Sequence, residues 1–242
     1  MYMLNNPLHI LRRRLELFLK GERRGINVGN LHASATAHFN DLNSLLKSNP
    51  QFSFDKKLQI NSLELKYEEH LRKAIQIVNP IWNGEKQLFM LLYTISSSIK
   101  DGEIVETGVA NGFTTNSIMK ALQDSMSSAS LTSFDILPET INAYVGDRKW
   151  NFQLLSGRRL HKQLQKIVDD LSNISLWVHD SDHSYKWQKF EYTLASQRLR
   201  SGGILVSDDI DTSAAWITVI PKYFKYNYVI FDSRKFIGIA IK

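Results

Sequence analysis

From Pro80 onward, short β-rich runs alternate with helical stretches, and this alternation restricts the architecture more than any other feature of the chain. The runs are Glu103–Gly108, Leu131–Asp135, Asn151–Leu155, Ile174–Asp180 and Gly203–Asp208. Helical patterns lie between them near 114–124, 139–146, 158–171 and 186–200, and another near 213–223 follows the fifth run. Parallel strands need a long crossover, which a helix supplies, so the pattern reads as βαβ units over a parallel sheet. The chain closes on YNYVIF and KFIGIAI, joined by Asp232, Ser233 and Arg234, which reads as an antiparallel hairpin. The expected fold class is α/β, a seven-stranded mixed sheet with an antiparallel last strand. In such sheets a ligand sits at the carboxyl ends of the strands, where the strand order reverses.

The first 79 residues look different and are expected to form a helical extension, with the α/β domain over 80–242. Leu8, Leu11, Leu15 and Phe18 recur at helical spacing and predict an amphipathic helix. Residues 21–34, with Gly21, Gly25 and Gly29, read as a linker, and 35–79 as two or three helices interrupted near Pro50. The apolar faces of this extension could pair subunits into a homo-oligomer. Residues 1–24 hold six basic and two acidic side chains, so they carry most of the chain's net charge of +6. That charge keeps nucleic acid and anionic surfaces in view as partners. With no cysteine, the 242 residues hold no disulfide, thiolate metal site or thiol nucleophile. No apolar run reaches the roughly 18 residues of a membrane span, and the arginines interrupt any signal-peptide core, so a cytoplasmic location is expected.

The first β-rich run ends in Glu106-Thr-Gly-Val-Ala-Asn-Gly-Phe-Thr-Thr. Gly108 permits a tight turn, and Gly112 stands at the entrance of the next helix. This is not the G-x-G-x-x-G of a dinucleotide site, because Ala110 takes the middle glycine's place. The second run ends in Asp135, whose carboxylate can take both hydroxyls of a ribose. An acid, a G-x-x-x-G turn and a second-strand acid, in this order, resemble the nucleoside site of class I S-adenosylmethionine-dependent methyltransferases, whose fold is Rossmann-like. The resemblance covers roughly residues 80–242. It implies that Glu106, Gly108 and Gly112 line the methionine end, with Asn111 and Asp180 beside them. It also implies that Asp135 holds the ribose and that Ser156 lies on the adenine side.

Two neighbouring runs both end in paired carboxylates: Asp180 and Asp182 after one, Asp208 and Asp209 after the other. In a parallel sheet these ends share an edge, so four carboxylates are expected to converge near the ligand site. Unpaired they would repel one another, and a hard divalent cation with oxygen ligands would relieve this. Asp residues before helices are also common N-caps, which is the plainer reading for any one of them. The pattern resembles the metal-dependent O-methyltransferases that act on sugars of macrolide and aminocoumarin glycosides. That resemblance implies Mg²⁺ or a similar ion on Asp180, Asp208 and Asp209, with Asp182 as general base. Ser181, His179 and Ser201 depart from the family's usual residues. His183 is the rival base, since an ordinary imidazole suits proton transfer at neutral pH.

The expected activity is therefore methyl transfer from S-adenosylmethionine to a hydroxyl of a small molecule, a sugar or glycoside by resemblance. A metal-independent methyltransferase and a non-catalytic scaffold of the same fold are the alternatives. A nucleic-acid substrate is not expected, because carboxylates at the acceptor mouth repel phosphate and no Asn-Pro-Pro-Tyr-type loop is present.

Overall fold

The computed structural model describes residues 28–48, 60–78, 84–144, 146, 148–232 and 235–242. The amphipathic helix expected within 1–24, with most of the net positive charge, lies outside the described residues. The described elements are α1 (Val28–Ser34), β1 (Ala37–Phe39), α2 (Leu42–Ser48), α3 (Ile60–Lys73), α4 (Lys86–Ser98), β2 (Glu103–Thr107), α5 (Phe113–Asp124), β3 (Ser130–Asp135) and β4 (Asn151–Leu154). They continue with α6 (Leu160–Asp169), β5 (Ile174–His179), α7 (Tyr185–Arg198), β6 (Leu199–Ser207), α8 (Ala215–Tyr223), β7 (Tyr226–Asp232) and β8 (Lys235–Ile241).

The strands form one sheet in the order β1-β7-β8-β6-β5-β2-β3-β4. Strands β2 to β6 run parallel, and β8 is antiparallel to both β6 and β7. The order reverses at β2, which pairs with β3 on one side and β5 on the other. The carboxyl ends of β2 and β5 therefore flank the crevice where this architecture takes its ligands. Central strands are buried on both faces, as a parallel sheet covered by helices requires. One face packs under α4 and α5, through Phe89, Ile104, Ile118 and Leu131. The other packs under α6, α7 and α8, through Leu164, Trp177, Tyr192 and Trp216. Gly238 of β8 lets Trp216 lie flat on the strand, since a Cβ there would come within 2.4 Å of the indole.

Three expectations are corrected. The sheet has eight strands rather than seven, because β1 joins its edge beside β7. Its entry is fixed by bonds to Asn227: Thr36 N donates to the Asn227 carbonyl at 2.8 Å, and the Asn227 amide donates back to Thr36 Oγ1 at 3.1 Å. The stretch read as a linker contains α1, held because Leu31 is buried in the α8-side core. The helix expected near 139–146 is only a 3₁₀ turn over Pro138–Asn142, closed by Thr140 Oγ1 donating to the Leu137 carbonyl at 2.7 Å.

The terminal hairpin reaches across the fold. Asp232, at the end of β7, accepts from the backbone N–H groups of Gln87 and Leu88 at 3.3 and 3.0 Å and so caps α4 from a distance. Those are donors that a helix start leaves unpaired. Burial pushes the Asp232 carboxyl up to about 7. Because β8 is antiparallel, its first residue, Lys235, comes in at the edge where the parallel strands end.

Candidate active site

At the cofactor end, the backbone does most of the positioning. Gly108 has φ +85°, and its N–H donates to the Phe134 carbonyl at 2.8 Å. A Cβ at Gly108 would lie 2.0 Å from the Asp180 carbonyl oxygen, so glycine is what lets the turn after β2 lie against the end of β5. Asp135 binds this turn directly. Its Oδ2 accepts from Val109 N and Ala110 N at 2.8 and 3.0 Å, and its Oδ1 from Ile136 N and Leu137 N at 2.6 and 2.9 Å. The carboxylate thus holds both strand-end turns in one geometry. Beside it, Ile136 is 60% exposed and offers an apolar surface at the rim of the crevice.

Glu106 lies beneath the turn rather than in the crevice. It is fully buried, and its Oε2 accepts from Ser133 and Thr115 hydroxyls at 2.5 and 2.7 Å. Burial raises its pKa, against the lowering effect of those hydroxyls. Asn111 is also buried; its Oδ1 accepts from Ile77 N and Val78 N, both at 2.7 Å, tying the segment before α4 onto the turn. Gly112, φ +71°, opens α5 where a Cβ would meet the Ala143 carbonyl oxygen at 2.5 Å. Ser156 is exposed after β4, its backbone bonded on both sides to Gln163.

At the acceptor end, charged side chains do the work. The ends of β2, β5 and β6 are laced by Asp180 N to the Thr107 carbonyl and Asp208 N to the His179 carbonyl, each 2.9 Å. Asp180, Asp208 and Asp209 come together there, and Asp209 stands at φ +49°, a strained value for a non-glycine residue. Burial raises the Asp180 carboxyl well above its usual range, and the charges of Asp208 and Asp209 add to this. His183 Nε2 lies 3.9 Å from Asp180 Oδ1 and 3.7 Å from Asp209 Oδ2. Burial pulls its pKa down to about 4, so the imidazole is neutral at neutral pH. Thr212 Oγ1 donates to the His183 carbonyl at 3.1 Å and fixes the loop that carries it.

Asp182 departs from the expected convergence. It is exposed, and its Oδ1 accepts from Ser184 N at 2.8 Å, so it shapes the entry to α7. Of the four carboxylates expected here, Asp180, Asp208 and Asp209 meet.

Two members of the site escaped the sequence reading. Glu191, fully buried on α7, accepts from Thr107 Oγ1 at 2.6 Å and Ser181 Oγ at 2.8 Å, and lies 3.0 Å from His179 Nδ1. Burial alone would raise its pKa, but His179, Thr107 and Ser181 outweigh burial and lower it. His179 in turn packs edge-on against His183, ring centroids 5.4 Å apart. The second is Lys235, buried, with its ammonium on Asp208 Oδ2. Burial opposes its charge, yet Asp208, Asp209 and Asp180 more than compensate and raise its pKa. A signal existed for it: a lysine opening an antiparallel last strand must arrive at the carboxyl edge of the sheet.

A divalent cation does not fit these residues as they stand. Among the described residues no group of three or more His, Asp or Glu side chains is arranged to hold a metal ion. Lys235 already takes one of the two Asp208 oxygens and sets a positive charge where the ion's charge would lie.

The sheet order, the glycine turn after β2 and the acid ending β3 agree with the fold that the resemblance to class I S-adenosylmethionine-dependent methyltransferases implies. Residues 105–210 match the family profile described as a methyltransferase domain. A search of the curated proteins finds no match. Among solved structures, cofactor-bound Rv0187 from MTB shares 13% identity over 84% of this chain and 96% of its own, with a TM-score of 0.50, which supports the fold. TomG, an O-methyltransferase from Streptomyces achromogenes solved with S-adenosylmethionine, shares 14% identity over 81% of this chain and 95% of its own, at a TM-score of 0.46. MycE, a methyltransferase of the mycinamycin pathway solved with Mg, S-adenosylhomocysteine and mycinamycin VI, shares 11% identity over 58% of this chain, at a TM-score of 0.46. The chain spans 44% of the MycE chain's length. No helix among the described residues is long and apolar enough to cross a membrane.

Proposed function

We propose that the protein transfers a methyl group from S-adenosylmethionine to a hydroxyl of a small-molecule acceptor. The observation that carries this reading is the seating of the Asp135-pinned glycine turn against Asp180, at the strand ends where Asp209 and His183 also lie. S-adenosylmethionine supplies an electrophilic methyl on its sulfonium. Asp135 and the turn orient the nucleoside end, and Ile136 gives the base an apolar surface.

Asp180 and Asp209 accept hydrogen bonds from the acceptor's hydroxyls, which suits a sugar or glycoside, the class implied by the acidic motif. His183 Nε2 takes the proton of the attacking hydroxyl as the oxygen–methyl bond forms and the sulfur–methyl bond breaks. The neutral imidazole is ready for this, whereas Asp182 is occupied at the start of α7. Aligning oxygen, carbon and sulfur in the crevice supplies much of the rate gain. No step runs through a metal ion, because the carboxylates do not fit one with Lys235 in place.

The test is incubation with S-adenosylmethionine and a panel of sugars, glycosides and simple alcohols, with methylated product read by mass. Product from hydroxyl acceptors supports the reading. Methylation confined to nitrogen or carbon acceptors contradicts it.

A further inference from the structure

We propose that Lys235 is a resident positioning cation, standing where a carboxylate-held site of this kind would otherwise draw a divalent metal ion. This rests on the methyltransferase reading of the same crevice. Three observations converge. Asp180, Asp208 and Asp209 are drawn together at the ends of β5 and β6, which is unfavourable without a positive charge between them. Lys235 is buried there, and its ammonium is bonded to Asp208 Oδ2. It comes from β8, outside the acidic motifs, and is placed by the hairpin whose other strand ends on the α4 cap at Asp232.

An ammonium is a single charge with three donors on a flexible stem. It can hold Asp208 and, through that group's charge, the geometry of Asp180 and Asp209. It cannot chelate two neighbouring oxygens of an acceptor as a metal does. The acceptor therefore needs only one hydroxyl at the reacting position, and His183, not a metal, must remove its proton. A vicinal pair of hydroxyls should not be required at the reacting position.

The groups facing Lys235 are Asp208 and Asp209 after β6, Asp180 after β5, and Asp232 across the hairpin. Removing the lysine leaves these carboxylates without their counter-ion and with room for an ion.

The experiment titrates Mn²⁺ into the full-length protein with S-adenosylhomocysteine present, by calorimetry, for the wild type, Lys235→Ala and Lys235→Arg. The expected result is no Mn²⁺ site in the wild type or Lys235→Arg. Lys235→Ala should gain at least about a tenfold tighter Mn²⁺ affinity, lost again when Asp209→Asn is added. A wild-type Mn²⁺ site abolished by Asp208→Asn would overturn the proposal, as would a folded Lys235→Ala that gains no affinity. If Lys235→Ala fails to fold, the wild-type titration still decides, together with turnover after exhaustive chelation. Turnover unchanged by chelation supports the resident cation, and turnover abolished by chelation and restored by Mn²⁺ refutes it. Binding of S-adenosylhomocysteine is scored separately, so loss of the methyltransferase reading is distinguishable from loss of this one.

Discussion

The two ends of the crevice are built from different materials. At the cofactor end, one carboxylate, Asp135, receives four backbone N–H bonds and fixes two turns by hydrogen-bond geometry. At the acceptor end, three carboxylates, a buried lysine and a neutral histidine are held by opposing charges. A geometry of backbone bonds is fixed by the direction of its donors rather than by a balance of charges. A balance of buried charges is poised, because removing one member leaves another uncompensated. On the proposed reading the difference suits the tasks: a cofactor of constant shape needs a fixed cradle, whereas proton removal needs groups whose charge can change.

The largest expected effect breaks the seam between the two ends. Gly108→Ala places a methyl 2.0 Å from the Asp180 carbonyl oxygen at φ +85°. Overpacking and strain together should cost roughly 3–6 kcal/mol, read by urea denaturation. A loss under 1 kcal/mol would show that the seam is loose.

The next acts on the acceptor end alone. His183→Gln should lower kcat by about 10²–10⁴-fold while leaving the affinity for S-adenosylhomocysteine within about twofold. The pH profile sharpens this. A base must be unprotonated to act, and burial sets His183 at about 4 rather than the ordinary 6.5. Activity should therefore persist as pH falls through 6.5 and decline only near 4, measured as kcat/KM. The stability side has the opposite feel. Between 6.5 and 4 the unfolded chain binds a proton that folded His183 resists, so this residue's contribution falls as pH drops.

These outcomes bear on how much was legible in the sequence. The βαβ rhythm, the glycine turn with Asp135, and Asp180 with the Asp208–Asp209 pair were all readable, because local strand ends and turn chemistry place them. Glu191 was not, since its role depends on which helix folds back onto the edge, whereas Lys235 was overlooked although its place at the start of an antiparallel last strand was a signal. Asp182 was misplaced for a related reason: three residues past the end of β5, the turn decides whether a carboxylate faces the site or bonds the start of a helix. β1 was missed because a three-residue strand carries no periodicity, only the bonds that Asn227 makes with Ser34 and Thr36.

A smaller effect tests the cofactor end by itself. Asp135→Asn keeps the shape but loses the charge that strengthens those N–H bonds, worth about 1.5–3 kcal/mol. Affinity for S-adenosylhomocysteine should drop about 10- to 100-fold in calorimetry, with the acceptor KM little changed. The smallest is Asp182→Asn, which retains an acceptor for Ser184 N. Its kcat should stay within about threefold of the wild type, and a drop beyond a hundredfold would return Asp182 to the role of base.

The most direct test of the central claim is a calorimetric titration of S-adenosylhomocysteine into the wild-type protein alongside Asp135→Asn. One site per chain, weakened by the substitution, is the result expected if the turn after β2 is the cofactor cradle. No binding to the folded wild type, or binding indifferent to Asp135, would contradict it.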